Sequence, residues 1–171
     1  MKTGAFFPVL IAVLVLALLL SATSIKNEAV AESAEREQTY FISDEGYAKT
    51  DVQISLADLS LVSGCRALAM TITNDQAFSV YRGKQKSVDT RPLTHDLIRD
   101  IFEGFEIKPL AARIESTDEN GLYYATLYLQ KGKKVLSLDS RPSDAAGIAV
   151  RTGTPFYVNK TILEKYGKNV C

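Results

Sequence analysis

The sequence predicts a single compact α+β domain with a mixed or antiparallel twisted sheet and about three helices, preceded by an N-terminal hydrophobic helix. Three observations predict it. Strand-like runs come first, then a helix, then hairpins, then a helix, an order that favours α+β over a doubly wound parallel sheet. Asp118-Glu119-Asn120-Gly121 separates two strand-patterned runs, and Asn-Gly accommodates the positive φ of a tight hairpin. Leu93, Leu97, Ile98, Ile101, Phe102 and Phe105 recur at helical spacing.

The chain opens with Lys2 and then an apolar run from Ala5 to Leu20, the pattern of a secretory signal. Ala29-Val30-Ala31 offers small residues for cleavage. Counted to Ile25, the run is 21 residues, enough to span a bilayer, so an uncleaved anchor is the rival reading. Either way, Lys2 on the cytoplasmic side puts the remainder in an exported location, outside the membrane or anchored to its outer face. The expected division is residues 1–26 as signal peptide or anchor, 27–43 as a flexible charged linker and 44–171 as the folded domain. The linker carries Glu28, Glu32, Glu35, Arg36 and Glu37 with few large apolar residues, too little to offset its ordering entropy.

Within the domain, Asp51 to Leu61 alternates in part, with Val52, Ile54 and Leu56 on one face of a strand. Val62-Ser63-Gly64 turns the chain into a second run from Ala67 to Thr73. Asn74 is a plausible cap for a helix that carries Ala77, Val80 and Tyr81 on one side, and Arg82 to Lys86 reads as a basic loop. The next helix starts near Leu93, capped by Thr90 or Thr94 and closed at Gly104. Two strands follow, about Pro109 to Ser116 and Leu122 to Gln130; in the second, Tyr123, Ala125, Leu127 and Leu129 share a face. After a Lys131-Gly132-Lys133 turn come a strand from Val135 to Asp139 and a helix from Asp144 to about Arg151, capped by Ser143. A short strand from Pro155 to Val158 and a short helix from Thr161 to Tyr166 complete the domain.

Charge excludes little. The chain has 20 Lys and Arg against 20 Asp and Glu, and from Tyr40 onward 17 against 16, so no general field draws a polyanion. Of the two cysteines, Cys65 and Cys171, either they pair outside the cytoplasm, or Cys65 is a small buried hydrophobe and Cys171 a free thiol. No CxxC or Cys/His grouping suggests structural zinc. Phosphate-loop, zincin and hydrolase-elbow motifs are absent.

Two stretches resemble each other: Arg91-Pro92-Leu93-Thr94-His95-Asp96 and Asp139-Ser140-Arg141-Pro142-Ser143-Asp144. Each sets Arg-Pro before a helix, then a hydroxyl residue and an Asp in the first turn. Proline suits a helix start, the hydroxyl accepts free N–H groups, and the Asp suits the dipole. The arginine is not explained that way. With free N–H groups it makes a natural phosphate or carboxylate site; the alternative is that Arg91 and Arg141 pair with Asp96 and Asp144. His95, the only histidine, beside Asp96 and Arg91 is a candidate general acid or base. Asp139, Asp144 and Asp96 could share Mg²⁺ or another divalent cation. Arg82, Lys84 and Lys86, with Thr94 and Ser143, are candidate substrate-binding residues; a solvated loop is the bland reading of the basic run.

These two motifs, with Asn120-Gly121-Leu122-Tyr123-Tyr124-Ala125 and Pro155-Phe156-Tyr157-Val158, make the chain from about Val52 to Gly167 resemble the bifunctional nuclease family. The resemblance implies a compact α+β domain that assembles with copies of itself and has DNase and RNase activity. It implies Arg91 and Arg141 on the scissile phosphate, His95 in proton transfer, and Asp96, Asp139 and Asp144 in metal binding or orientation. The family usually reads Ile-Gly, two residues, then Glu-Ala after its second strand; here Thr73 replaces the glycine and Gln76 the glutamate. The expected function is therefore an exported or membrane-tethered nuclease acting on DNA or RNA, and the alternative is a non-catalytic binding or assembly module on the same fold.

Overall fold

In the computed structural model of the chain, which describes residues 40–171 together with Leu18, alternating burial sets the first hairpin. Strand β1 (Tyr47–Ser55) pairs antiparallel with β2 (Asp58–Ser63), which pairs with β3 (Arg66–Thr71). Val52, Leu59, Leu61 and Leu68 point inward and are buried. The single strand expected from Asp51 to Leu61 is thus two strands. Leu56 turns the chain with a positive φ of 52° and lies fully outside, a conformation that sequence pattern assigns to Gly or Asn.

Helix α1 (Asn74–Lys84) follows β3. Its cap is Thr73 rather than Asn74. The Thr73 side chain accepts from Gln76 N at 3.3 Å, and Gln76 Oε1 accepts from Thr73 N at 3.0 Å, a reciprocal capping box. The helix also runs through Arg82 and Lys84, so these are last-turn residues and not a loop. Helix α2 (Thr94–Gly104) begins at Leu93 without a hydroxyl cap. Neither Thr90 nor Thr94 serves; Asp96 reaches back to accept from Leu93 N at 2.9 Å.

Strands β4 (Lys108–Thr117), β5 (Tyr123–Lys131) and β6 (Lys134–Ser140) form an antiparallel meander. Asp118 Oδ1 accepts from Asn120 N and Leu122 N, and Gly121 takes φ +80°, as the turn chemistry predicts. Helix α3 (Pro142–Thr152) is capped at its end by Gly153 in the left-handed region. Strand β7 (Phe156–Asn159), helix α4 (Lys160–Tyr166) and the two-residue β8 (Lys168–Asn169) close the chain.

The eight strands lie in the order β6-β5-β4-β7-β1-β2-β3-β8. All neighbours are antiparallel except β4 and β7, so the sheet is mixed and the domain α+β, with four helices among the described residues. Ala112, Ile114, Ala125, Leu127 and Leu129 of the sheet pack on Ala145, Ala146 and Ala149 of α3, whose small side chains let the helix approach closely. On the other face Arg113 is buried among Tyr47, Tyr128 and Tyr157, its guanidinium 4.4–5.7 Å from the three rings. It donates to Ser43 O, and Tyr40 N donates to Gln130 Oε1 at 3.0 Å. The compact unit accordingly runs from Tyr40 to Cys171.

Cys65 and Cys171 are joined in a disulfide that ties the β2–β3 turn to the C-terminal residue, resolving the two readings of these cysteines. The N-terminal apolar run and most of the charged linker lie outside the described residues. Among the described residues, no helix is long and apolar enough to cross a membrane.

Candidate active site

The start of α3 organises the site. Arg141 is its extended N-cap residue and Pro142 its first helical residue, as the Arg-Pro motif predicts. The Arg141 guanidinium forks onto Asp144, with Nε to Oδ2 at 2.7 Å and Nη2 to Oδ1 at 3.2 Å. The pair is not sealed in a closed interior: the Arg141 side chain is 71% exposed. Asp144 Oδ1 also lies 3.5 Å from Nε2 of His95, at the long limit of a hydrogen bond.

His95 comes from the first turn of α2 and is buried against α3 and α1. Its Nδ1 is 2.8 Å from Ser79 Oγ of α1. Its ring packs on the backbone of Gly147, where an added Cβ would come within 2.8 Å of Nδ1 and Cε1. Burial, and then the nearby Arg151 charge, hold its pKa below the ordinary 6.5, and the opposing pull of Asp144 and Asp96 does not reverse this. His95 is therefore neutral at neutral pH.

Asp96 does something different. It is 2% exposed and accepts from Arg151 Nε at 2.6 Å, itself 2% exposed. Burial raises its pKa, but the Arg151 hydrogen bond, the Leu93 N–H and the charges of Arg151 and Arg99 outweigh that and leave it below the usual carboxylate value. Asp96 is thus a buried structural anion. It does not join Asp139 and Asp144, and among the described residues no group of three or more His, Cys, Asp or Glu side chains is gathered for a metal. The shared three-aspartate site is not formed.

Two open cavities, of about 940 and 640 Å³, flank the start of α3, and Gln76, Arg141 and Asp144 line both. The larger also takes in Met70, Thr73, Leu122, Tyr124, Asp139 and Ser143. Strand β3 and the β6–α3 junction thus meet at one cleft, although β3 and β6 lie far apart in the strand order. The smaller includes Ser79, Thr94 and His95. Arg141, Asp144, His95, Asp139, Ser143 and Thr94 therefore converge on one region.

The remaining candidates do not converge there. Arg91 is exposed before α2 and lines neither cavity. Arg82 stacks over Phe78 and donates to Val88 O at 2.8 Å, and Lys84 donates to Val52 O. Lys86 lines a separate hollow with Arg82, Asp96 and Arg151. The basic run holds the end of α1 in place and forms no track into the cleft. Three residues that sequence reasoning did not single out, Ser79, Gly147 and Arg151, hold His95 and Asp96. Gly147 carried a signal: a glycine inside a helix costs stability unless something must pack against it.

Comparison with known proteins agrees with the motifs. Residues 59–170, more than half of the chain, match the Bifunctional nuclease domain. An uncharacterized protein of Mycobacterium tuberculosis is 36% identical over 105 residues, which cover 61% of this chain and 62% of that protein. Bifunctional nuclease 2 of Arabidopsis thaliana is 36% identical over 85 residues, 47% of this chain and 25% of the plant protein. Bifunctional nuclease 1 of Oryza sativa subsp. indica is 32% identical over 83 residues, with the same coverage. The chain thus spans under two thirds of the mycobacterial relative and a quarter of the plant ones. With the two Arg-Pro helix starts, the hairpin and the fold in agreement with that match, the chain belongs to the bifunctional nuclease domain family.

Proposed function

We propose that the protein is a nuclease that hydrolyses phosphodiester bonds of DNA, RNA or both in the cleft at the start of α3. The observation that carries this reading is the meeting of Arg141, His95 and Asp144 at one open mouth beneath a helix N-terminus. The exposed guanidinium and the helix end suit an anionic phosphate and the charge that grows on its oxygens during displacement. Asp144 and neutral His95, in contact, form the acid–base pair that moves the proton. Leu122 and Tyr124 give the larger cavity an apolar and aromatic wall of the kind on which bases stack. The names of the plant relatives point to the same chemistry.

A divalent cation would find in Asp139 a carboxylate on the cavity wall and take its other ligands from phosphate and water, the usual habit of Mg²⁺. Such an ion would neutralise phosphate charge.

The test is cleavage of plasmid DNA and of RNA by the purified full chain, with Mg²⁺ or Mn²⁺ supplied. Both His95→Ala and Arg141→Ala should lose cleavage, by about 10²-fold or more, while circular dichroism stays unchanged. Intact polymers with the native chain, or full cleavage by both variants, would sink the reading.

A second reading, a non-catalytic binding or assembly module, is favoured by one observation. Gln76 stands at the junction of the two cavities where the family usually has glutamate, and its amide is engaged in capping α1. Glutamate would serve that cap equally well. A Gln76→Glu variant that cuts where the native chain does not would establish this second reading.

The reading includes export, as a soluble protein or one anchored at the outer face of the cytoplasmic membrane. The leader and the Cys65–Cys171 disulfide, a bond that persists in oxidising compartments, support it. It also includes a second copy of the chain as partner. Edge strand β6 exposes Val135, Leu136 and Leu138, and antiparallel self-pairing about Ser137 would set Leu136 against Leu138. Sedimentation across a concentration series tests that pairing, and Leu138→Lys should shift the chain toward monomer.

A further inference from the structure

His95 has a polar partner at each ring nitrogen, and the two ends are best satisfied by one proton arrangement. Arg151 approaches with every guanidinium nitrogen in use: Nε donates to Asp96 Oδ1 at 2.6 Å, Nη1 to Gly147 O at 3.0 Å and Nη2 to Ser79 Oγ at 3.4 Å. Arginine only donates, so Ser79 Oγ accepts on that side. Its own O–H is then left to donate, and His95 Nδ1 stands 2.8 Å away. At the far end of the ring, Nε2 faces the Asp144 carboxylate, which only accepts. The carboxylate end favours a proton on Nε2, and the bare Nδ1 that goes with it gives the Ser79 O–H an acceptor.

We propose that Ser79, oriented by Arg151, is a positioning residue that fixes His95 as its Nε2-protonated tautomer, so that the ring N–H is aimed at Asp144 on the cleft. The proposal rests on the nuclease reading for its consequence, but not for its structure. The Nδ1-protonated tautomer would set a bare Nε2 against the carboxylate and leave the Ser79 hydroxyl proton without its acceptor. Either fault in a buried site disfavours that state. The ring packs so closely on Gly147 that no side chain fits between them.

His95 is the only histidine in the chain, so its imidazole signals need no assignment. Long-range proton–nitrogen correlation spectra of the ¹⁵N-histidine-labelled full chain at neutral pH should show protonated Nε2 and unprotonated, hydrogen-bonded Nδ1. An Nδ1-protonated ring, or fast averaging of both forms in the native chain, overturns the proposal whatever the variants do. In Ser79→Ala the spectra should show mixed tautomers. On DNA or RNA, kcat should fall about fivefold with KM little changed, as expected for one lost hydrogen bond of about 1 kcal/mol. Ser79→Thr, which keeps the hydroxyl, should restore the single tautomer. If Ser79→Ala lowers only the melting temperature, with tautomer and kcat intact, Ser79 is merely a satisfied core hydroxyl and the proposal fails. A correct tautomer in a chain that cuts nothing would refute the nuclease reading and leave the positioning arrangement standing.

Discussion

The imidazole of His95 rests on the backbone of Gly147 so closely that a methyl group at position 147 would come within 2.8 Å of Cε1 and Nδ1. Two effects then compete in Gly147→Ala. Helix propensity favours alanine by about 1 kcal/mol, whereas overpacking costs about 1–3 kcal/mol. The obstacle is a ring held at both nitrogens, so overpacking wins. A net loss of about 1 kcal/mol in denaturant unfolding is expected, together with a sharp loss of cleavage, since the ring must leave Asp144.

Asp96 and Arg151 form a buried pair, each side chain 2% exposed. Removing one partner leaves an uncompensated charge inside, at about 3–5 kcal/mol. Asp96→Asn and Arg151→Met should each destabilise the domain by roughly that amount. Urea unfolding of the two single variants and the double checks it: the double should cost less than the sum of the singles. A stable but inactive Asp96→Asn would instead return Asp96 to the chemistry.

Acid should weaken the fold in two stages. The folded pKa of His95 lies below 6.5, through burial first and Arg151 second. Unfolding therefore takes up a proton between the two values, so the stability from this group is full above about pH 6.5 and falls as pH drops toward the folded value. Asp96 also has a lowered pKa, so its contribution is lost only on further acidification, from about pH 4 downward. Melting curves over this range should show both stages, and His95→Gln should flatten the first alone.

The capping box at α1 gives a smaller effect. Thr73→Ala removes the acceptor for Gln76 N and should cost about 1 kcal/mol in thermal unfolding. Thr73→Ser should be nearly neutral.

The meander β4–β5–β6 and helix α2 were legible because the turn Asp118–Gly121 and the helical spacing are local signals. The β1–β2 hairpin was not, because Leu56 turns the chain without glycine or asparagine. In the site, the residues of the Arg141–Asp144 helix start and His95 announced themselves through motif chemistry. The partner of Asp96 did not: Arg151 is 55 residues away and arrives only when α3 packs on α2. Ser79 is an unremarked serine in a helix until α1 sets it beside the histidine. The supposed metal trio failed for the same reason, since adjacency in a motif does not reveal which way a first-turn carboxylate points.

Strand β3 carries the sulfur bridge just before its first residue, and its last three residues, Ala69 to Thr71, line the larger cavity of the candidate site. The lock on the fold and the wall of the candidate cleft are thereby placed at opposite ends of one strand. On the proposed nuclease reading, protein made in a reducing host should cut at the ordinary rate yet be short-lived on warming, and later oxidation should lengthen its working life without quickening it.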